Sequence, residues 1–423
     1  MGFGFTRNVA SSSRRRLGHS IEVEARNRRR IENVAIIGGG LAGLSTAYHL
    51  IDIAEKTRPN EQLHITIFDE KTVGKGGASS VAGGLLHPFS PRGKMIHFGQ
   101  SALEHSKGLV QAAARHNPVC ILRDHLYRIA LSSKNVVELQ DSAAKYGCLA
   151  TWLSKEDLQH NFGIDCLGGL KLSNGCQVIH VPSYLEGLLE EIETKAKQLT
   201  SGQVKWEIMQ PNDHREFNKK LKEYDSVILS AGSGLLNSHF IDDSLPIQLV
   251  RGQSIEIEMM AKETDETSFI NNDAVLCGKY IAPLPSPTEG NKKSQRYVIG
   301  ATHEFNNTPL TSTEVTEELR SRTYQLAPHL WDDGEVDKIT SGVRMQSHRG
   351  KFGRMPIIGQ YNSDTIESGL NHEHMWIFTG LSSRGLIYHG LFGRWLANAV
   401  LNDNEECLQN EFEDFDWWRR QKK

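Results

Sequence analysis

The sequence predicts an α/β chain: a Rossmann-like dinucleotide-binding domain assembled from separated stretches, joined to a domain built on an antiparallel sheet. Three observations point there. A β-branched run feeds a glycine-rich turn and then a helical pattern, a second strand ends in acids, and later stretches alternate apolar with polar residues. The 423 residues suffice for two ordinary domains or one two-part domain. With 38% hydrophobic residues, 23% charged and only 13 prolines, the chain is neither disordered nor collagen-like. A net charge of −3 gives no bulk electrostatic case for binding nucleic acid.

Residues 1–30 stand apart. They hold eight arginines against Glu22 and Glu24, a net charge of +6, so the remainder carries −9. An Arg-rich, Ser-containing, acid-poor segment has the composition of an organelle transit peptide, plastid or mitochondrial; the alternative is a plain basic tail on a cytoplasmic protein. The six cysteines (Cys120, Cys148, Cys166, Cys176, Cys277, Cys407) form no CxxC pair and no metal spacing, so no metal is expected. The longest apolar-looking run, Val34 to Ala54, contains His49 and Asp52 and suits a buried strand–turn–helix rather than a membrane span.

Ile31–Ile37 reads as a buried strand, Gly38-Gly-Gly-Leu41-Ala42-Gly43 as a phosphate-binding turn, and Leu44–Leu50 as the following helix. Gly38 permits the tight turn, Gly40 lets backbone approach a pyrophosphate, and Gly43 allows close helix–strand packing. The helix start then offers unpaired N–H groups and a positive dipole end. The strand Leu63–Phe68 ends in Asp69 and Glu70, 26 residues beyond Gly43. An acid there is placed for ribose hydroxyls, Asp69 first and Glu70 as the alternative.

A run of small residues follows, Gly74 to Pro88, with Ala78-Ser79-Ser80 and Gly83-Gly84-Leu85. Small residues let a chain lie along a flat ligand and offer it backbone N–H groups. Further on come Val181-Pro182 before a helix to about Lys197, then Val204. Tyr224–Gly232 ends in Ala231-Gly232, and Met375–Leu386 opens a helix running to about Ala399. In this order the segments resemble the D-amino-acid oxidase superfamily of FAD enzymes, which includes glycine and sarcosine oxidases. The resemblance covers roughly residues 31–400. It implies that Ala78–Leu85 passes the FAD pyrophosphate towards the flavin, that Val204 contacts adenine, and that Ala231-Gly232 belongs to a second FAD segment. It also implies that Ser383, Arg384, Gly385 and Leu386 cradle the flavin O2/N1 edge, where a helix start stabilises the anionic reduced ring. No cysteine falls in Arg344–Gly359, where sarcosine oxidases attach flavin covalently, so the implied FAD is non-covalent.

Leu249-Val-Arg-Gly-Gln253 and Leu381–Leu386 are similar to the FAD-dependent half of the bacterial bifunctional enzyme that matures methylaminomethyl-uridine at the tRNA wobble position. That half removes a carboxymethyl group from a secondary amine, so tRNA enters as a partner alongside a small amine; 423 residues leave no room for the methyltransferase half. The resemblance implies that Arg344, in Ser341-Gly-Val-Arg344, holds a substrate carboxylate, for which a bidentate arginine is the natural partner. Arg349 and Arg354 are alternatives. His87 either orients substrate, accepts a proton or is a hydrogen-bonded structural residue. Tyr280 either lines the substrate chamber or packs its strand.

The expected domains are a basic extension at 1–30, a discontinuous FAD-binding domain at 31–95, 175–245 and 355–400, a substrate domain at 96–174 and 246–354, and an acidic, aromatic tail at 401–423. Gln253–Glu258 and Arg296–Gly300 read as strands, Ser154–Asp157 as a capping-box helix start, and Ser286–Gln295 as a polar hairpin loop. The expected function is FAD-dependent oxidation of a C–N bond in a secondary amine or N-substituted amino acid. Two other functions fit the same fold: a 2-hydroxy-acid dehydrogenase, and a flavin-binding assembly factor without essential catalysis.

Overall fold

The computed structural model describes residues 32–209, 214–237, 240–241, 244–260, 273–285, 294–305, 308–362 and 372–421. The basic segment 1–30 and residues 286–293 of the expected hairpin loop lie outside the described residues. In chain order the strands are β1 (Asn33–Ile37), β2 (Gln62–Asp69), β3 (Leu85–Leu86), β4 (Ile121–Arg123), β5 (Leu126–Ile129), β6 (Ala150–Leu153), β7 (Gly169–Leu172), β8 (Gln177–Ile179) and β9 (Ser201–Ile208). They continue as β10 (Ser226–Leu229), β11 (Ile247–Met260), β12 (Val275–Leu276), β13 (Tyr280–Leu284), β14 (Ser294–Gly300), β15 (Glu335–Ser347), β16 (Arg349–Gly350), β17 (Gly353–Arg354), β18 (Ile357–Gln360) and β19 (Met375–Thr379).

Six of them form a sheet in the order β18-β19-β10-β1-β2-β9, parallel except for β18 at one edge. β10 and β19 are buried at every position and β1 at all but its first. That is the continuous apolar pattern of parallel strands covered on both faces. The helix Leu41–Thr57 connects β1 to β2 and packs against Gly385–Asn402 and Val181–Ala196. At that junction His389 is fully buried, with Nε2 2.6 Å from the Tyr184 hydroxyl, and the Ser106 hydroxyl donates to the Ile387 carbonyl.

The second sheet runs β15-β11-β14-β13-β12-β5-β7-β6. It is antiparallel with one departure from expectation: β12 and β5 run parallel, Leu276 opposite Arg128. β5 arrives directly from β4, a strand of the separate small sheet β3-β8-β4, rather than by a hairpin from β12, so nothing obliges that pair to be antiparallel. One face of this sheet packs Tyr127, Ile129, Ile255, Ile281 and Ile299 against the helices Ser312–Thr323 and Pro328–Asp332. The other face turns towards the first sheet, with Leu126, Leu276 and Tyr280. The Ser154–Asp157 capping box is present in both directions.

The tail packs along the outer edge of β18. Trp417 and Trp418 are buried, and their indole N–H groups donate to the carbonyls of Pro356 and Ile358, while Arg419 donates to that of Gln360. None of the six cysteines forms a disulfide. Among the described residues, no helix is long and apolar enough to cross a membrane.

Candidate active site

Strand order reverses at β1, whose chain continues to β2 on one side while β10 and β19 lie on the other. Ligands of open α/β sheets bind in the crevice beyond the carboxyl ends of such strands. Here those ends carry Gly38–Gly43, Asp69, Ala231-Gly232 and Gly380–Leu386. Gly38 (φ +100°) packs so closely that a Cβ would lie 2.4 Å from the Ala231 Cα, and a Cβ on Gly43 would lie 1.9 Å from the Gly38 carbonyl oxygen. These contacts place the expected second segment directly against the first.

The helix begins at Leu41, inside the glycine motif rather than at Leu44, and Gly40 caps it with no side chain. Its first N–H groups therefore stay available to an anion, apart from a long 3.4 Å bond from the Leu41 N–H to the Ser79 hydroxyl. Asp69 is the last residue of β2, and its carboxylate accepts from the N–H groups of Gly39 (2.8 Å) and Lys71 (3.0 Å). A carboxylate has further acceptor sites, so these bonds aim it without exhausting it. Glu70, one residue beyond the strand, is exposed.

The small-residue run lies between the two sheets. Ala78 and Val81 meet Gly342 of β15, a Cβ on Gly83 would fall 2.4 Å from the Tyr280 ring, and one on Gly84 would strike the Ile179 carbonyl. Ser80 closes a local turn onto the Gly77 carbonyl, and Leu85 pairs with Val178. A second helix start faces the same crevice: Gly385 opens the helix Gly385–Asn402 without a side-chain cap, 3.1 Å from the Leu41 Cδ1 as measured from a Cβ position. Ser383 and Arg384 form the turn before it, and Arg384 reaches the Arg354 carbonyl and the Tyr388 hydroxyl. Two uncapped helix starts on one crevice, a glycine-lined approach and a strand-end carboxylate fit a dinucleotide with a ring that becomes anionic.

On the second sheet, Tyr280 and Arg344 share this side. The Tyr280 hydroxyl lies 3.2 Å from the Ser254 hydroxyl, and the Arg344 Nη2 lies 3.3 Å from the His303 Nδ1. Burial pushes the Tyr280 phenol up and the Arg344 guanidinium down, while Tyr280 and Glu304 pull Arg344 back. Burial, with the Arg344 charge, holds His303 below its ordinary value, so its Nδ1 is an acceptor for Arg344. Of the alternatives, Arg349 is exposed in the β16–β17 hairpin and Arg354 donates to the Ser347 carbonyl. His87 accepts from the Phe89 N–H at Nδ1 (3.2 Å) and is pushed down to about 3 by burial and by the charges of Arg128 and Arg384. It is a neutral, hydrogen-bonded residue at neutral pH.

One expectation fails. Val204 sits in the middle of β9, paired with Ile65, whereas Ile208 is the residue opposite Asp69. Four strand residues, roughly 13 Å, separate it from the crevice, so the structure does not bring Val204 to the dinucleotide cradle. Trp206 takes the neighbouring place: its indole donates to the Lys71 carbonyl, and its ring lies 2.1 Å from where a Gly39 Cβ would be. Sequence reasoning missed Trp206, Ser254 and His303, none of which sits in a recognisable motif. It also missed Glu304, whose two carboxylate oxygens are buried without a hydrogen-bond donor among the described residues. A shallow depression of about 650 Å³ at Met95–Ser101 and Lys351-Phe352 is lined by none of these groups.

A family model described as FAD dependent oxidoreductase matches residues 33–399. The tRNA 5-methylaminomethyl-2-thiouridine biosynthesis bifunctional protein of Actinobacillus pleuropneumoniae is 20% identical over 405 residues, covering 88% of this chain and 56% of that protein. The chain thus spans about half the length of the curated relatives it matches. Among solved structures, glycine oxidase from Geobacillus kaustophilus superposes with a TM-score of 0.63 at 18% identity, covering 89% of this chain and 96% of that one. L-proline dehydrogenase from P. horikoshii gives a TM-score of 0.63 at 11% identity, covering 93% and 100%.

Proposed function

The chain belongs to the FAD dependent oxidoreductase family, and from that premise we propose that it oxidises the C–N bond of a secondary amine or N-substituted amino acid. The observation that carries this reading is the convergence of Arg344, Tyr280 and Ser254 on the sheet face beside Ala78–Gly84. Gly38–Gly43 and the first helix start suit the FAD pyrophosphate, Asp69 the ribose, and Ser383–Leu386 the flavin's anionic edge. When bound, FAD supplies a two-electron acceptor for hydride from a carbon next to nitrogen, which turns an amine into an imine.

The chain's own residues then position and select. Arg344 gives a carboxylate two parallel donors, and its His303 contact fixes the plane of the guanidinium. With its phenol kept protonated by burial, Tyr280 donates to the same carboxylate while Ser254 orients the hydroxyl. No base is needed if the amine arrives neutral. A 2-hydroxy acid, by contrast, calls for a base poised near its hydroxyl, and His87, at about 3 with Nδ1 occupied, is not so poised. The geometry therefore favours the amine.

The test is an anaerobic panel read by flavin absorbance. Sarcosine, glycine or a related amine should bleach the flavin and 2-hydroxy acids should not; bleaching by hydroxy acids alone, or by nothing, rejects the reading. Arg344→Lys should raise KM by about tenfold or more with a smaller change in kcat, because a point charge cannot reproduce the fork. The carboxymethylaminomethyl group of tRNA wobble uridine is an N-substituted glycine, and the name of the curated relatives supports it as one substrate of this class. Treated tRNA should lose that nucleoside, and an unchanged nucleoside profile removes this finer assignment.

A further inference from the structure

Arg128 is a buried cation that the mechanism above does not use. It lies on β5 with 7% exposure, and its Nε is buried without an acceptor. Among the described residues its one hydrogen bond is a long 3.4 Å contact from Nη1 to the Pro91 carbonyl, and no carboxylate pairs with it. A guanidinium carries five donors, and burying one without a counter-charge is expensive unless something supplies the acceptors.

Its position says what could. Arg128 stands opposite Leu276, and Leu276 opposite Tyr280, so the three form one row across β5, β12 and β13. Directly paired residues share a face of a sheet. The neighbours Tyr127 and Ile129 turn to the opposite face, into the core under Ser312–Thr323. Arg128 therefore shares the Tyr280 face, some 10 Å from it along the sheet at two strand spacings. The Pro91 carbonyl it touches belongs to the loop that begins at His87, and His87 feels both Arg128 and Arg384, the residue at the second helix start. The Tyr280 face thus carries Arg344 on β15 at one end and, at the other, a cation with no carboxylate partner among the described residues.

We infer that Arg128 receives a second anionic group of the substrate, so that the chamber is built for an N-substituted amino acid whose far end is also acidic. The inference rests on the reading that Arg344 and Tyr280 hold the first carboxylate. β15 and β5 are five strand spacings apart, roughly 24 Å between backbones, and Arg344 and Arg128 both lie on the Tyr280 face, each with a long side chain that shortens that gap. The linker between the two acids is therefore several bonds long rather than a single methylene.

The experiment uses the FAD-loaded enzyme and a series of N-(ω-carboxyalkyl)glycines with two to six carbons in the linker, each beside its terminal amide. Binding is read from perturbation of the flavin spectrum, turnover from anaerobic bleaching, and a third readout is the thermal shift of the protein. At one or two linker lengths the acid should bind the wild-type enzyme about tenfold or more tightly than its amide. Arg128→Gln should erase that preference, and Arg128→Lys should keep part of it. Equal binding of acid and amide at every length in the wild-type enzyme overturns the inference and needs no variant that must fold. So does a preference that survives in Arg128→Gln or Arg128→Met. If no amine bleaches the flavin, yet the diacids still raise the melting temperature through Arg128, the anion site stands and the amine-oxidation reading falls.

Discussion

Gly39 is closed to a side chain, although the GxGxxG pattern leaves that position unspecified. The Trp206 ring occupies the space a side chain would need, at 2.1 Å from a Cβ position. Gly39→Ala must therefore displace an indole anchored on the Lys71 carbonyl and disturb the N–H that holds Asp69. The variant should lose about 1–3 kcal/mol, the usual penalty for overpacking, and should retain less FAD on purification. Adding Trp206→Phe should recover part of the stability in thermal unfolding; no recovery would place the strain elsewhere. The close packing at Gly38 and Gly43 and the strand-end place of Asp69 were legible because the steric needs of a strand–turn–helix are local. Trp206 was not, because its role depends on β9 lying beside β2, a pairing made across more than 130 residues of chain. The same limit applies to Val204, which the resemblance alone singled out and whose height along β9 no local pattern gives.

At the scale of elements, the helices show how polar groups are buried on strict terms. His389 of Gly385–Asn402 is pushed down to about 4 by burial, so it is neutral and its Nε2 accepts from the Tyr184 hydroxyl of Val181–Ala196. Tyr184→Phe leaves that nitrogen unsatisfied and should cost about 1–3 kcal/mol in chemical denaturation, without changing the flavin spectrum. A loss no larger than that of an exposed Tyr→Phe would show that the pair contributes nothing. Element boundaries followed local chemistry closely where caps declared them, as at Ser154. They drifted where backbone alone sets the limit: the first helix starts at Leu41 and runs to Thr57, beyond the apolar spacing that announced it.

Across the whole molecule, His49 and His389 sit neutral in the core, His49 pushed down to about 3 chiefly by burial and His389 to about 4. An unfolded histidine titrates near 6.5, so between these values the unfolded chain binds more protons than the folded one. Stability should therefore fall as pH drops below about 6.5. Each of these groups alone should remove about 2 kcal/mol by pH 5, seen as a falling melting temperature. A flat profile from pH 7 to 5 would contradict the buried neutral assignment. The α/β class, the FAD cofactor and the family were readable at this scale because motif order survives at low identity. The parallel β12–β5 pair and the Arg128–Leu276–Tyr280 row were not readable, since both depend on strand neighbours that local pattern does not specify.

The tail lends the six-stranded sheet a property that strand order alone would not. Trp417, Trp418 and Arg419 satisfy the outward carbonyls of residues 356, 358 and 360, the alternate positions at which an incoming peptide would have to bond. That rim is closed to growth by strand addition, whether by a foreign peptide or by a second molecule of the same kind. Trp417→Ala with Trp418→Ala should reopen it: a loss of about 3 kcal/mol or more, and a new tendency to self-associate in light scattering as concentration rises.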